Sequence, residues 1–290
     1  MTTSIAEAIL TGANQLRRAG VPEARREAGS LLSHVIGRDR GFLLTHADDV
    51  VSADQFELMR QSVARRAAGE PLQYITGRQE FFGLDFEVTP AVLIPRPETE
   101  LLVEIGLKLL ADAGTAPFIC DVGTGSGCLA ISLLHELPES RAVAVDVSPD
   151  ALAVARRNAA RHSMTNRLEF VVSDCFAALN AKNSDQSNFH LIVSNPPYVE
   201  EHALADLQRE VRDFEPRIAL IAGPDGLEII RRLLVDARKF VRPEGFFVFE
   251  IGFNQSEKVR TLIDPKIWTL VGFFEDLQSI PRVVALQKHS

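Results

Sequence analysis

The sequence predicts an α/β fold in which a doubly wound, mainly parallel sheet follows a small bundle of helices. Two observations lead to this prediction. From residue 117 onward, short runs that are apolar throughout recur between helical stretches, which is typical of strands covered on both faces. Before about position 75, apolar side chains instead recur at three- and four-residue steps, which is typical of amphipathic helices.

The length supports more than one domain. The chain has 290 residues, which exceeds the roughly 100–200 residues of a usual domain. We predict a helical domain over 1–77, a β-hairpin linker over 78–100 and the α/β domain over 101–290. The composition is 46% hydrophobic and 24% charged, and we find neither a membrane-spanning apolar run nor a secretory leader. We therefore expect a globular, cytoplasmic protein.

Three helices are predicted in the first domain. A capping-box pattern at 4–7 begins the first helix, Pro22 can occupy the first turn of the second, and Gly37 ends that helix. The capping-box pattern recurs at 52–55, ahead of a third helix. None of these helices carries a recognisable catalytic constellation.

The linker contains an aromatic hairpin pattern. Phe81, Phe82, Phe86 and Val88 flank Gly83, which predicts two short strands joined by a turn.

The α/β domain is predicted to hold a mainly parallel sheet. The apolar runs that mark strands are FICDV at 118–122, AVAVD at 142–146, LEFVV at 168–172, HLIVS at 190–194 and FFVFEI at 246–251, with VVALQ at 283–287 as an edge strand. Helices are predicted within 128–137, 149–161 and 226–240, and the polar segment 180–188 is predicted to be a flexible loop.

Cysteine usage and charge narrow the function classes. Cys120, Cys128 and Cys175 show no metal-ligand spacing and stand beside apolar runs, so we expect buried, reduced thiols. Residues 1–77 contain nine arginines and nine acids, so the formal net charge of -8 falls entirely on 78–290. Because that half repels phosphate backbones, we expect no stable binding of nucleic acid.

A glycine-rich loop directly follows the first predicted strand of the α/β domain. It consists of Gly123, Thr124, Gly125, Ser126 and Gly127. Alternate glycines let the backbone turn sharply and approach a ligand closely. The next strand ends at Asp146, where a carboxylate can accept hydrogen bonds from both ribose hydroxyls. The pattern indicates an adenosine-type site, although a purely structural turn could also account for the loop.

Two cofactor classes share this arrangement. A nicotinamide site would place Gly or Ala three residues after Gly125, where this chain has Cys128. Asp121, just before the loop, would repel a pyrophosphate but suits an ammonium group. These features favour S-adenosyl-L-methionine over a dinucleotide. Asp174, after the third strand, could accept a hydrogen bond from the adenine amino group or serve only as a turn residue.

A second motif follows the HLIVS strand, at the sheet edge where ligands bind in open α/β folds. It consists of Asn195, Pro196, Pro197 and Tyr198. The prolines stiffen the backbone and leave the Pro196 carbonyl as a bare acceptor, and the Asn195 side chain supplies a second acceptor. Tyr198 offers a flat face for a planar amide or base. The motif predicts a pocket for an NH2 group.

Such a pocket suits methyl transfer to a planar nitrogen. The lone pair of an amide or aryl amine is delocalised, so holding both hydrogens toward acceptors lets the nitrogen pyramidalise and aim that lone pair at a sulfonium methyl. Transfer is then an in-line displacement assisted mainly by orientation, which can supply about 7–11 kcal/mol. No strong general base is needed, in agreement with the lack of a Ser/His/Asp or Cys/His set in the sequence.

Taken together, these motifs resemble the peptide chain release factor glutamine-N5 methyltransferase family. The resemblance covers nearly the whole chain, and it rests on PLQYITG at 71–77, IPRPETE at 94–100, DVGTGSGCLA at 121–130, VSNPPYV at 193–199 and PDGLEIIRRL at 224–233. NPPY also occurs in adenine-N6 methyltransferases, so IPRPETE is the discriminating motif. Related ribosomal-protein glutamine methyltransferases tend to carry PRSP where this chain has PRPE at 95–98.

The resemblance implies a class I S-adenosylmethionine-dependent methyltransferase fold, Rossmann-like, with a seven-stranded sheet. It implies methyl transfer to the glutamine of the Gly-Gly-Gln loop of release factors, with S-adenosyl-L-homocysteine as product. The family's cofactor contacts map to 123–127, Asp146, Cys175 and Asn195, and its substrate contacts map to 195–198. Of the latter, Asn195, Pro196 and Tyr198 are the expected catalytic residues. Cys175 departs from the family's usual large apolar residue, which implies a weaker adenine contact.

Further expectations follow from the resemblance, and several alternatives stay open. The helical domain is expected to dock the release factor, and the protein is expected to be a monomer without membrane attachment. The alternatives are adenine-N6 methylation of nucleic acid, glutamine methylation of a ribosomal protein, and a non-catalytic scaffold. Arg96, Glu98 and Glu100 could either line the cofactor mouth or pin the linker to the sheet.

Overall fold

The computed structural model describes residues 3–111, 116–182 and 187–290. The chain divides into two compact units, Met1–Arg78 with Gln208–Phe214, and Gln79–Leu207 with Glu215–Ser290. The boundary near residue 78 lies close to the predicted one. The hairpin region, however, belongs to the second unit, and 208–214 belong to the first unit although they are far away in sequence.

The first unit is helical. Its helices are α1 (Ile5–Arg18), α2 (Ala24–Ile36), α3 (Arg40–Thr45), α4 (Ala53–Ala67), α5 (Leu72–Thr76) and α9 (Arg209–Phe214), and its short strands are β1 (Thr3–Ser4) and β2 (Val50–Val51). Both predicted capping boxes are present, at Ser4 and at Ser52. Pro22 is an exception to the predictions, because it precedes the N-cap Glu23 and does not lie in the first turn of α2.

A buried arginine organises the first unit. The Arg66 side chain is only 9% exposed, and it forms ion pairs with Glu27 and with Glu210 of α9, the latter at 2.8 Å. Because α9 is only six residues long, it cannot be stable as an isolated helix. This long-range ion pair therefore contributes to holding 208–214 in the first unit.

The second unit contains the predicted sheet. Its strands are the hairpin β3 (Arg78–Phe81) and β4 (Leu84–Glu87), followed by β5 (Phe118–Val122), β6 (Arg141–Asp146), β7 (Leu168–Val172), β8 (Phe189–Ser194), β9 (Val241–Glu250), β10 (Trp268–Glu275) and β11 (Pro281–Lys288). Its helices are α6 (Glu100–Leu110), α7 (Cys128–Glu136), α8 (Pro149–Arg161), α10 (Glu228–Asp236) and α11 (Ser256–Leu262). The strand order of the large sheet is β10-β11-β9-β8-β5-β6-β7.

The sheet is covered by apolar side chains on both faces. One buried cluster includes residues of α6, α7 and the hairpin, and the other includes residues of α10 and α11. Within β5, Ile119 belongs to the first cluster and Cys120 to the second, as expected from the alternation of side chains along a strand. This confirms the doubly wound arrangement predicted from the apolar runs.

The edge of the sheet differs from the prediction. The strand β11 lies between β10 and β9 and pairs antiparallel with both, so it is an inner strand. The edge strand on that side is β10, and β7 forms the opposite edge. The strand β10 was not predicted, because Thr269 and Gly272 interrupt its apolar run. The predicted flexible loop 180–188 falls partly on 183–186, outside the described residues.

The three cysteines have the environments expected for reduced thiols. All three cysteines are free, with Cys120 and Cys128 buried and Cys175 half-buried, so the predicted reduced state is consistent with the structure.

Over the ranges that the structure describes, no helix is long and apolar enough to cross a membrane. Within the same ranges, no group of three or more His, Cys, Asp or Glu side chains could hold a metal ion.

Candidate active site

The candidate site lies where the strand order of the sheet reverses. The strand β5 pairs with β6 on one side and with β8 on the other, with Val122 opposite Ser194 in the β5–β8 register. The glycine loop and the NPPY motif begin at the next residues, so both motifs start at adjacent strand ends. A cavity of about 350 Å³ opens there. This is the position at which open α/β sheets bind ligands.

Most of the predicted site residues line this cavity. They are Gly123, Thr124, Gly125, Ser126, Asp146, Cys175, Asn195, Pro196 and Pro197. Gly127 and Tyr198 are not part of the lining within the described residues. Gly127 is instead the N-cap of α7, with a φ of 84°, and an added Cβ there would lie 3.0 Å from the Ile131 side chain.

The glycine loop is held against the end of β6. The backbone amides of Gly123 and Thr124 donate to the Val145 carbonyl at 2.9 and 3.0 Å. Asp146 then accepts from the Gly125 amide at 2.9 Å through Oδ2 and from the Ser148 amide at 2.9 Å through Oδ1. Burial raises the pKa of Asp146. The carboxylate is therefore oriented by backbone donors at the cavity wall.

Asp121 does not occupy the place expected for a partner of a ligand's ammonium group. Its side chain is fully buried and does not line the cavity. Oδ2 accepts from the Thr124 hydroxyl at 2.7 Å and from the Ala130 amide at 3.2 Å, while Oδ1 has no partner in the described part of the chain. Burial raises the pKa of Asp121 to about 7. Asp121 therefore stabilises the glycine loop from the protein interior and does not face the cavity.

Asp174 and Cys175 follow β7 in the sequence and form part of the cavity wall. Cys175 has a φ of 50°, and burial raises the pKa of its thiol to about 11, so it is a neutral, compact lining residue. Asp174, considered as an acceptor for an adenine amino group, pairs with Arg232 at 2.8 Å. Both residues of this ion pair also line the cavity. The Asp174 carboxylate is thus shared between the arginine and the cavity.

The NPPY motif is anchored by hydrogen bonds with residues distant in sequence. Asn195 Nδ2 donates to the Thr99 hydroxyl at 3.0 Å, and Oδ1 of Asn195 accepts no hydrogen bond within the described residues. The Tyr198 hydroxyl donates to Glu250 at 3.0 Å. The Tyr198 carbonyl accepts from Gln255 Nε2, also at 3.0 Å. The side-chain oxygen of Asn195 is therefore an uncommitted acceptor of the motif.

All three anchoring residues, Thr99, Glu250 and Gln255, were missed as site residues. Thr99 and Glu250 are each 2% exposed, and the Thr99 hydroxyl donates to Glu250 at 2.6 Å. Burial raises the pKa of Glu250 to about 7, whereas its hydrogen bonds lower it. The negative charge of Glu250 in turn raises the pKa of Tyr198 well above its usual range. An acid at the carboxyl end of a buried strand was the available signal for Glu250.

The IPRPETE segment carries structural contacts. Arg96 pairs with Glu215, a residue whose side chain is only 1% exposed and which also accepts from the Ile94 amide at 3.4 Å. Glu100 accepts from the Phe82 amide at 2.9 Å, which joins the hairpin to the start of α6. Neither Arg96 nor Glu100 lines the described cavity. These contacts favour the interpretation that both residues pin the linker.

Comparisons with known proteins agree with this geometry. Residues 7–77 match the model of the PrmC N-terminal domain, and residues 99–211 match that of the methyltransferase small domain. The structure is similar to a methyltransferase from Pyrococcus furiosus, with a TM-score of 0.51 at 16% identity, covering 80% of this chain and 98% of that one. It is also similar to the T. thermophilus 16S rRNA N2 G1207 methyltransferase solved with AdoMet and guanosine, with a TM-score of 0.53 at 18% identity, covering 73% of this chain and 50% of that one.

The fold and the position of the cavity thus define a class I methyltransferase. Among sequence relatives, the release factor glutamine methyltransferase of Koribacter versatilis is 42% identical over 98% of this chain and 99% of its own length. The protein of the same name from Geobacter sulfurreducens is 44% identical over 84% of this chain and 82% of its own. This chain belongs to the release factor glutamine methyltransferase family.

Proposed function

We propose that this protein transfers a methyl group from S-adenosyl-L-methionine to the side-chain amide N5 of the glutamine in the Gly-Gly-Gln loop of a peptide chain release factor. The choice of a release factor glutamine is supported by the relatives of that name, and transfer to a planar NH2 group is supported by the orientation of Asn195. Its Nδ2 is held by Thr99, which leaves Oδ1 as an acceptor beside the cavity. An acceptor in that position suits the hydrogens of a substrate NH2 group.

The residues of the cavity fit an adenosyl cofactor. The backbone amides of Gly125 and Ser148 orient the Asp146 carboxylate, which then has remaining lone pairs for ribose hydroxyls. The positive φ of Gly123, 74°, and of Gly125, 54°, lets the loop backbone form the cavity wall without a side chain. When bound, S-adenosyl-L-methionine supplies an electrophilic methyl group on a sulfonium. Cys175 is small, so its contact with the adenine is weaker than that of a large apolar residue.

The chain's own residues act on the acceptor nitrogen by orientation. Asn195 Oδ1 and the Pro196 carbonyl accept the two amide hydrogens, and this keeps the nitrogen lone pair pointed toward the cofactor side of the cavity. Tyr198 is not part of the cavity lining, so we assign it support of the motif through its hydrogen bond to Glu250. We infer that no side chain removes the proton, which is acidic after methylation and can leave to water.

The first unit is proposed to dock the release factor. It contains a groove of about 430 Å³ with an apolar floor that includes Ile9 and Leu43, and Arg25, Arg26 and Arg40 lie in its lining. The three arginines are exposed. Such a groove suits an acidic and partly apolar protein segment. Charge reversal at Arg25 and Arg26 is expected to raise KM for the release factor about tenfold or more while cofactor binding is retained.

The decisive experiment is methyl transfer to a purified release factor. The protein is incubated with S-adenosyl-L-methionine and the release factor, and peptides are mapped by mass spectrometry. A single added methyl on the Gly-Gly-Gln glutamine is expected, and a release factor with that glutamine replaced by alanine serves as control. An unmodified glutamine would refute the proposal. Methyl on RNA, DNA or a ribosomal protein in parallel reactions would favour the alternative substrates.

The remaining proposals concern location and assembly. Since release factors act during translation, we propose that the protein works in the cytoplasm. The expectations of a monomer and of no stable complex with nucleic acid stay predictions. Light scattering and a gel-shift assay with RNA and DNA are the measurements that check them.

A further inference from the structure

Three buried groups connect the two ends of the NPPY motif. The Thr99 hydroxyl lies between Asn195 Nδ2, at 3.0 Å, and Glu250 Oε2, at 2.6 Å. The other carboxylate oxygen of Glu250 accepts from the Tyr198 hydroxyl at 3.0 Å. Asn195 and Tyr198 are thus joined through Thr99 and Glu250. We refer to these four side chains as the Glu250 network.

The direction of each hydrogen bond in the Glu250 network follows from chemistry. An ionised carboxylate only accepts, so both the Thr99 hydroxyl and the Tyr198 hydroxyl must donate to Glu250. The Thr99 oxygen then has only lone pairs to offer Asn195. The amide of Asn195 must present its NH2 group to Thr99, and its Oδ1 must point the other way. The ionised carboxylate therefore selects one of the two possible orientations of the Asn195 amide.

The surroundings keep the Glu250 network rigid. Thr99 ends the short helical turn Pro97–Thr99, and Glu250 is the last residue of β9, paired with Val283 of β11. Thr99 borders the cavity, whereas Glu250 does not. A buried hydroxyl and a buried carboxylate that satisfy each other exclude water and hold one geometry. Glu250 can therefore act on a substrate only through the residues that it holds.

We propose that Thr99 and Glu250 are positioning residues that fix the Asn195 amide with its oxygen toward the acceptor NH2 group. This inference rests on the proposed function, because it assigns the polarity of the same pocket. An Asn195 amide turned the other way would present NH2 to NH2, and the acceptor nitrogen would lose one of the contacts that orient its lone pair. The hydroxyl of residue 99 is thus a determinant of turnover through the Asn195 side chain that it holds.

The protonation state of Glu250 bears on the same orientation. Burial and the charge of Glu98 raise its pKa, whereas hydrogen bonds from Thr99 and Tyr198 and the charge of Arg282 lower it. Burial has the largest effect, and the resulting pKa is about 7. A proton on the oxygen that faces Thr99 would make Glu250 a donor there. Thr99 would then donate to Asn195 and select the opposite amide orientation.

The test compares Thr99→Val with Thr99→Ser. Valine has nearly the shape of threonine but no hydroxyl, and serine keeps the hydroxyl. We expect Thr99→Val to lower kcat about 30–100-fold, as for the loss of one preorganised polar contact, with KM for the release factor and Kd for S-adenosyl-L-methionine within about threefold. Thr99→Ser is expected to recover kcat to within about threefold of wild type. The fluorescence of the single tryptophan, Trp268, monitors the fold of both variants.

Each outcome is decisive. A folded Thr99→Val variant with the kcat of wild type overturns the inference, and so does a Thr99→Ser variant as slow as Thr99→Val. If Thr99→Val does not fold, Glu250→Gln takes its place, because its amide must donate to one of the two hydroxyls and disturb the Glu250 network. A wild-type kcat for folded Glu250→Gln then overturns the inference. Failure of the proposed function is distinguishable, because wild type itself would leave the release factor unmethylated.

Discussion

Replacing Gly226 by alanine tests how tightly the NPPY backbone is enclosed. Gly226 has a φ of 69°, and an added Cβ would lie 2.4 Å from the Tyr198 carbonyl oxygen and 2.8 Å from Gln255 Nε2. Gln255 Nε2 donates to that same carbonyl at 3.0 Å and to the Gly226 carbonyl at 3.3 Å. The added methyl group would therefore clash with the Tyr198 carbonyl and with the Gln255 side chain that donates to it. Neither group can move without loss of a hydrogen bond.

The magnitude follows from three contributions. A non-glycine residue at positive φ costs about 1–2 kcal/mol. Forcing a methyl group into packed surroundings costs about 1–3 kcal/mol, and loss of one hydrogen bond about 0.5–1.5 kcal/mol. For Gly226→Ala we expect the free energy of unfolding to fall by about 2.5–6.5 kcal/mol. The residues that move belong to the NPPY motif, so turnover is expected to fall as well.

Gly83→Ala is the matched control. Gly83 lies in the same unit with a φ of 73°, but an added Cβ there would meet no atom within 4 Å. Only the conformational cost of about 1–2 kcal/mol is expected. Urea unfolding followed by the fluorescence of Trp268, which is 2% exposed in the second unit, measures both variants. Equal destabilisation by the two substitutions would refute the reasoning about the Tyr198 carbonyl.

Three further predictions follow from the structure. Asn195→Ala is expected to slow turnover about 10²–10³-fold in a methyl-transfer assay, with a smaller effect on cofactor affinity measured by calorimetry. Because Asp121 has a raised pKa of about 7, its contribution to stability is present at low pH and is lost as pH rises from about 4 through 7. Asp121→Asn should therefore become progressively more stable relative to wild type over that range in urea unfolding. Arg66→Ala should expose 208–214 to trypsin, because it leaves two partly buried carboxylates unpaired at a cost of about 2–4 kcal/mol.

Each of these predictions has an outcome that contradicts it. Turnover near wild type for Asn195→Ala would mean that the amide clamp is wrong. A stability difference between wild type and Asp121→Asn that does not change with pH would rule out a raised pKa. For the tryptic experiment the control is Arg65→Ala, since the Arg65 side chain is 50% exposed in its pair with Glu70. Equal cleavage in both arginine variants would show that Arg66 does not hold the segment.

Local chemistry made the two motifs predictable. The glycines at 123, 125 and 127 all have positive φ, which only glycine adopts without strain, so their spacing alone indicated the turn. The NPPY motif directly follows a continuous apolar run, which indicated its place at a strand end. Where the pattern was weak, the prediction failed. The half-exposed edge strand β10 was missed, and β11 was wrongly placed at the edge.

The positions of the acidic residues in the sequence did not reveal which carboxylates face the cavity. Asp121 and Asp146 both stand at strand ends beside the glycine loop, and the sequence offered no reason to separate them. The structure turns Asp121 behind the loop, where Thr124 and Ala130 hold it, and leaves Asp146 at the cavity wall. The difference arises from the side-chain direction at the end of each strand and from the path of the loop.

The sequence by itself determined the class of fold and the places of the glycine loop and the NPPY motif at strand ends, because each depends on residues close together in the chain. Only the tertiary structure decided how the Asn195 side-chain amide is oriented. Asn195 is oriented through Thr99, which is 96 residues away, and Thr99 through Glu250, which is a further 151 residues from it. The order of the strands in the sheet brings these groups together. The sequence around each residue does not indicate which buried donor pairs with which acceptor.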